Sequence, residues 1–79
     1  MSSNVPAWDA ADVTPSDSTD HSGNPFRSLY VGTAGDVAVE TEGGTAITFH
    51  NVPGGAVLPV RVVKVMSTNT TASDIIGLR

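Results

Sequence analysis

Val37-Ala38-Val39-Glu40-Thr41-Glu42-Gly43-Gly44-Thr45-Ala46-Ile47-Thr48-Phe49 alternates apolar and polar residues on either side of a glycine pair. Period-two alternation is the mark of a half-buried strand, and two such runs meeting at glycines mark a hairpin. The alternation also selects the register. A two-residue Gly-Gly loop would set Val39 opposite Thr48 and Glu40 opposite Ile47, mixing apolar with polar. A three-residue loop, Glu42-Gly43-Gly44, pairs Thr41 with Thr45, Val39 with Ile47 and Val37 with Phe49. Only this register gathers the apolar set on one face, and a one-residue slip would expose it. Such loops commonly need a left-handed third residue, which Gly44 supplies without a Cβ clash. The same register sets Asp36 opposite His50 on the wetter face.

Working outward, Phe26-Arg27-Ser28-Leu29-Tyr30-Val31 is rich in strand formers, and Gly32-Thr33-Ala34-Gly35-Asp36 reads as a turn. Val52-Pro53-Gly54-Gly55-Ala56 is a second loop. The longest β run follows, Val57 to Met66. Leu58, Val60 and Val62 share a face, but Lys64 falls in phase with them while Val63 and Val65 do not. Either a bulge lies near Val62-Val63, or both faces are covered, one of them by another subunit. Pro59 offers no ladder N–H, so it marks a strand start or an edge. Ser67 to Asp74 is a polar turn whose hydroxyls suit local backbone bonds, and Ile75 to Arg79 reads as a last short strand. The expectation is an all-β fold, a small antiparallel barrel or sandwich of about five short strands.

Residues 1–24 have no period of 2 or 3.6. They read as an acidic arm, extended or disordered, joined to a β domain over 25–79. Charge divides the same way. Residues 1–25 contain Asp9, Asp12, Asp17 and Asp20 and no Lys or Arg, which is the whole net charge of −4. In residues 26–79 acids and bases cancel. Trp8 is the arm's one large aromatic, and a large indole on a polar tail suits an anchor that seats in a partner.

The chain has 79 residues and 0 Cys, so disulfides and Cys-based zinc sites do not staple it. A 55-residue domain (25–79) is small enough that contacts with other subunits or a host surface are expected to complete its burial. Mean hydropathy is +0.04, and no apolar run approaches the ~20 residues of a membrane helix. No basic start followed by an apolar stretch suggests a secretory signal, and Ser2 replaces the glycine that myristoylation needs. The negative charge argues against nucleic-acid phosphates.

Chemistry-bearing motifs are sparse. Asp36 and His50 resemble the orienting pair of a hydrolase, but no nucleophile-elbow serine accompanies them, and a hairpin surface pair is the plainer reading. Asp17, Asp20 and His21 suggest a weak cation site without EF-hand spacing. Gly32-Thr33-Ala34-Gly35 lacks the Lys-Ser/Thr and the following helix of a phosphate loop. No catalytic residue, cofactor or metal ligand is therefore expected. Arg27 and Tyr30, beside the arm junction, combine apolar area with directional hydrogen bonding and are the interface candidates in the domain.

Pro25-Phe26-Arg27-Ser28-Leu29-Tyr30-Val31-Gly32-Thr33-Ala34-Gly35-Asp36-Val37 resembles the opening of the small spike-base proteins of tailed-phage and gene-transfer-agent heads. The likeness continues in Phe49-His50-Asn51-Val52-Pro53-Gly54-Gly55, in Leu58-Pro59-Val60-Arg61-Val62 and in Thr70-Thr71-Ala72-Ser73-Asp74-Ile75. It spans residues 25–79 and leaves the arm out. The resemblance implies a non-enzymatic virion protein on the outer surface of the capsid. Its implied partners are the major capsid protein, copies of itself in a cyclic homo-oligomer, and a spike fibre. Arg61, inside one of these blocks, joins Trp8, Arg27 and Tyr30 as an interface candidate. Two other readings compete: a capsid cement protein without a fibre, and a small carbohydrate-binding module in which Tyr30 or Trp8 stacks on sugar.

Overall fold

The structure, a computed structural model, describes residues 9–79. Seven strands follow in order: β1 (Ala10–Val13), β2 (Ser28–Thr33), β3 (Gly35–Thr41), β4 (Ala46–Val52), β5 (Ala56–Leu58), β6 (Val62–Val65) and β7 (Ser73–Leu78). They form two antiparallel sheets, one ordered β1-β7-β2-β5 and the other β4-β3-β6. Leu29, Val31 and Ile75 from the first sheet meet Val37, Val39, Val62 and Val65 from the second in one core, with Phe26 closing one side. This is the expected all-β fold, in its sandwich form.

The hairpin takes the register its alternation requires. Val39 pairs with Ile47 and Val37 with Phe49, Thr41 N–H donates to Thr45 O at 2.8 Å, and Gly44 has φ +93°. Beyond Phe49 the ladder shifts: Gly35 pairs with Val52, so β4 spends an extra residue there. Asn51, at φ 57°, absorbs that residue. The bulge lets Asp36 reach two neighbours at once, as described below.

The described residues form seven strands where the pattern marks about five, for two reasons. The first cause is Pro59. The run from Val57 to Met66 is not one strand, because the chain leaves the first sheet after Leu58 and joins the second at Val62. Pro59 cannot donate a ladder hydrogen bond, so it ends β5. The phase break in the same run is a bulge. Thr41 pairs with Val62 and Glu40 with Lys64, so one step on β3 matches two on β6. Val62 and Val63 are both buried as a result.

The second cause is Ala10–Val13, which pairs with β7 from Ala10↔Leu78 to Val13↔Ile75. Val13 enters the core. Past β1 the chain stays against the domain and runs beside β6. Ser16 N–H donates to Val65 O at 2.8 Å and His21 N–H to Val63 O at 2.6 Å. The arm's polar composition hid this, since only two of the four β1 side chains point inward and one of those is alanine.

The polar turn works through its hydroxyls. Thr70 Oγ1 accepts from Ala38 N–H at 3.0 Å and Thr71 Oγ1 from Asp36 N–H at 2.8 Å. These bonds satisfy β3 where β6 has already ended, which is how a segment of Ser and Thr replaces a strand.

A candidate docking face

Alternation along the first sheet sends Leu29, Val31 and Ile75 into the core, so their neighbours project outward. Tyr30 lies opposite Ile76 on one side and Val57 on the other. Ile76 in turn lies opposite Asp12. The row Asp12–Ile76–Tyr30–Val57 therefore crosses all four strands. Tyr30 is 39% and Val57 52% exposed. A parallel row, Ala10–Leu78–Ser28, lies beside it. The face is apolar through its middle, with the Asp12 carboxylate at the β1 end and a second carboxylate, Asp74, two residues before Ile76 on β7, where it accepts from Thr33 Oγ1 at 2.7 Å.

The other sheet presents a different surface. Arg61 Nε donates to Glu42 Oε1 at 2.6 Å, and Lys64 Nζ lies 3.8 Å from Glu40 Oε1. His50 Nδ1 lies 3.3 Å from Asp36 Oδ2. Exposed pairs such as these are worth little to stability. They do give this side a wet, charge-balanced character, unlike the apolar side.

Tyr30 sits at the centre of the apolar face. Arg27 precedes β2, with its N–H donating to Leu78 O at 2.7 Å. Arg61 immediately precedes β6 on the other side of the sandwich, bound to the hairpin loop through Glu42. Trp8 lies outside the described residues. Tyr30 and Arg61 thus lie on opposite sides of the sandwich. The structure adds Val57, Ile76 and Asp12 to Tyr30, which sequence reasoning missed. Their common row depends on which strands are neighbours, and β7 between β1 and β2 is a long-range pairing that no local pattern reveals.

Asp36 and His50 do face each other, but the carboxylate also accepts from Asn51 N–H at 2.9 Å. These two contacts hold the carboxyl of Asp36 below its ordinary value, the Asn51 bond contributing most. The pair closes the β4 bulge. Asp17 accepts from Thr68 N–H at 3.0 Å and from its hydroxyl, and Asp20 from Ser22 N–H at 2.8 Å. Both carboxyls are lowered by these bonds. Among the described residues no three His, Cys, Asp or Glu side chains gather where they would hold a metal ion.

A chain from the solved capsid of a native gene transfer agent particle, computed with C5 symmetry, has the same fold. The TM-score is 0.84, the sequences are 39% identical, and the match covers 100% of this chain and 90% of that one. The chain belongs to the gene transfer agent capsid protein family. No protein-family model matches it, and no curated protein does. As a capsid structural protein it presents two unlike outer faces, one apolar and one charge-balanced.

Proposed function

We propose that this capsid protein is a non-enzymatic external component of the particle, the base on which a head spike or fibre is mounted. In this reading it sits on the major capsid protein and forms a ring with copies of itself. The observation that carries the proposal is the full-length likeness to a chain of a gene transfer agent capsid. The spike-base sequence blocks over residues 25–79 support the finer assignment. The two unlike outer faces suit a piece that meets a shell on one side and something else on the other.

The deciding experiment is a reconstruction of intact particles with and without this chain. Density that disappears from the outer surface at five-fold vertices supports the spike base. Loss at three-fold or quasi-three-fold sites, with a shell that breaks more readily, would replace it with the cement reading. Loss of glycan binding in Tyr30→Ala, in particles that keep this chain elsewhere, would favour the carbohydrate module.

A further inference from the structure

The outer face of the β1-β7-β2-β5 sheet leaves open what covers it. Charge narrows the choice. A second copy laid face to face supplies apolar area but, among the described residues, only cations that already have partners. Arg61 and Lys64 are held by Glu42 and Glu40 on the other sheet. The Arg79 guanidinium lies over the Phe26 ring, 4.4 Å from its centroid, and Arg27 has an interaction of its own. Bringing the Asp12 and Asp74 carboxylates of this face against the same acidic face of a second copy adds like-charge repulsion with no counter-charge. Each copy also carries −4, so copies repel where their acidic segments meet. A nucleic acid is repelled for the same reason. The occupant that fits is a protein surface carrying an Arg or Lys beside an apolar side chain.

We infer that this face docks onto a basic, apolar-bearing protein surface of the particle, with Tyr30 and Val57 as apolar anchors and Asp12 receiving the partner's cation. The inference rests on the decoration reading above and specifies which side of the sandwich is turned to the shell. Tyr suits the anchor position because it joins a large apolar ring to a hydroxyl. The charge contact sits at the rim of the row, so its contribution is sensitive to salt, while the apolar contribution is not.

The test uses the full chain and, as the probe, gene transfer agent shells assembled without it, with binding measured by co-sedimentation at low and high salt. Asp12→Asn is expected to weaken binding about tenfold at low salt and to flatten the salt dependence. Tyr30→Ala is expected to weaken it by about tenfold or more at both salts. Glu40→Gln, on the opposite face, is expected to stay within about twofold of wild type. Melting curves verify that each variant is folded. Should Tyr30→Ala unfold, the salt dependence of Asp12→Asn decides alone. If the wild type binds and Asp12→Asn binds equally well at every salt, the inference is wrong while the decoration reading survives. If Glu40→Gln is the weakened variant, the opposite face is the docking face and the inference is equally wrong. If the wild type itself does not bind these shells, the decoration reading falls and takes the inference with it.

Discussion

The ring of Phe26 occupies the space where a side chain on Gly77 would begin. A Cβ at Gly77 would lie 2.3 Å from both Cδ1 and Cε1 of that ring. Phe26 has little freedom to yield. It is 1% exposed, the His21 ring stands 4.8 Å from it, and its backbone is tied to Val62 by bonds of 3.1 and 3.0 Å. Gly77 is thus the hollow on β7 that lets an aromatic lid the sandwich. Gly77→Ala is expected to destabilise by about 1–3 kcal/mol, as overpacking does. In a Phe26→Leu background the same change is expected to cost less, a coupling that a double-mutant cycle under urea measures. Equal costs in both backgrounds would mean that the ring is not the obstacle.

The hairpin loop gives a second test. Gly44 has φ +93° with open space around it, so backbone strain alone determines the effect of a substitution. Gly44→Val is expected to cost about 1 kcal/mol or more, because a β-branched residue is forced to positive φ. Chemical denaturation reads this directly. An unchanged midpoint would count against the three-residue loop.

These two glycines show where the sequence was legible. Gly44 lies in a local pattern, and the alternation around it was enough to fix turn, register and the Asp36–His50 juxtaposition. Gly77 does its work through a residue 51 positions away, and nothing near it announces the contact. The same division runs through the candidate site. Tyr30 stood out by residue type, but its row-mates Asp12, Ile76 and Val57 come from three other strands. Their adjacency is a product of strand order. Pro59 marks a strand start or an edge by its missing N–H, yet the change of sheet that follows it is a tertiary event. Val13 is a sizeable apolar residue of the arm, but one valine in a polar stretch has no period that marks it as core.

The arm offers a third prediction. Its contribution to the domain is a strand on β7, one core side chain, and backbone bonds from Ser16 and His21 along β6. The remaining strands retain Phe26, Leu29, Val31, Val37, Val39 and Val62, the largest fully buried side chains. Removing residues 1–24 is therefore expected to leave a folded protein of lower stability. Val13→Ala in the full chain is expected to cost about 1–3 kcal/mol on its own. A cooperative melt at a reduced midpoint is the expected result for the truncation. A featureless melt would make the arm part of the minimal folding unit. An unchanged midpoint would mean that β1 is dispensable.

Acid provides the last test, and its sign follows from the carboxyl contacts. The bonds from Asn51 and His50 favour the ionised form of Asp36, so its folded value lies below the ordinary 3.8. The unfolded chain therefore takes up the proton first as pH falls. The stabilisation is fully present above the ordinary value and disappears as pH drops through the folded one. Asp17 and Asp20 are lowered by their bonds to Thr68 and Ser22 and act in the same direction. Denaturation midpoints are expected to fall as pH drops through the carboxylate range. In Asp36→Asn the neutral amide still accepts from Asn51 N–H but no longer titrates. The variant is expected to start less stable at neutral pH and to converge on wild type in strong acid, with Asp17→Asn removing a second share of the acid limb. A variant whose loss persists undiminished in strong acid would show that the charge of the Asp36 carboxylate is not the source of the loss.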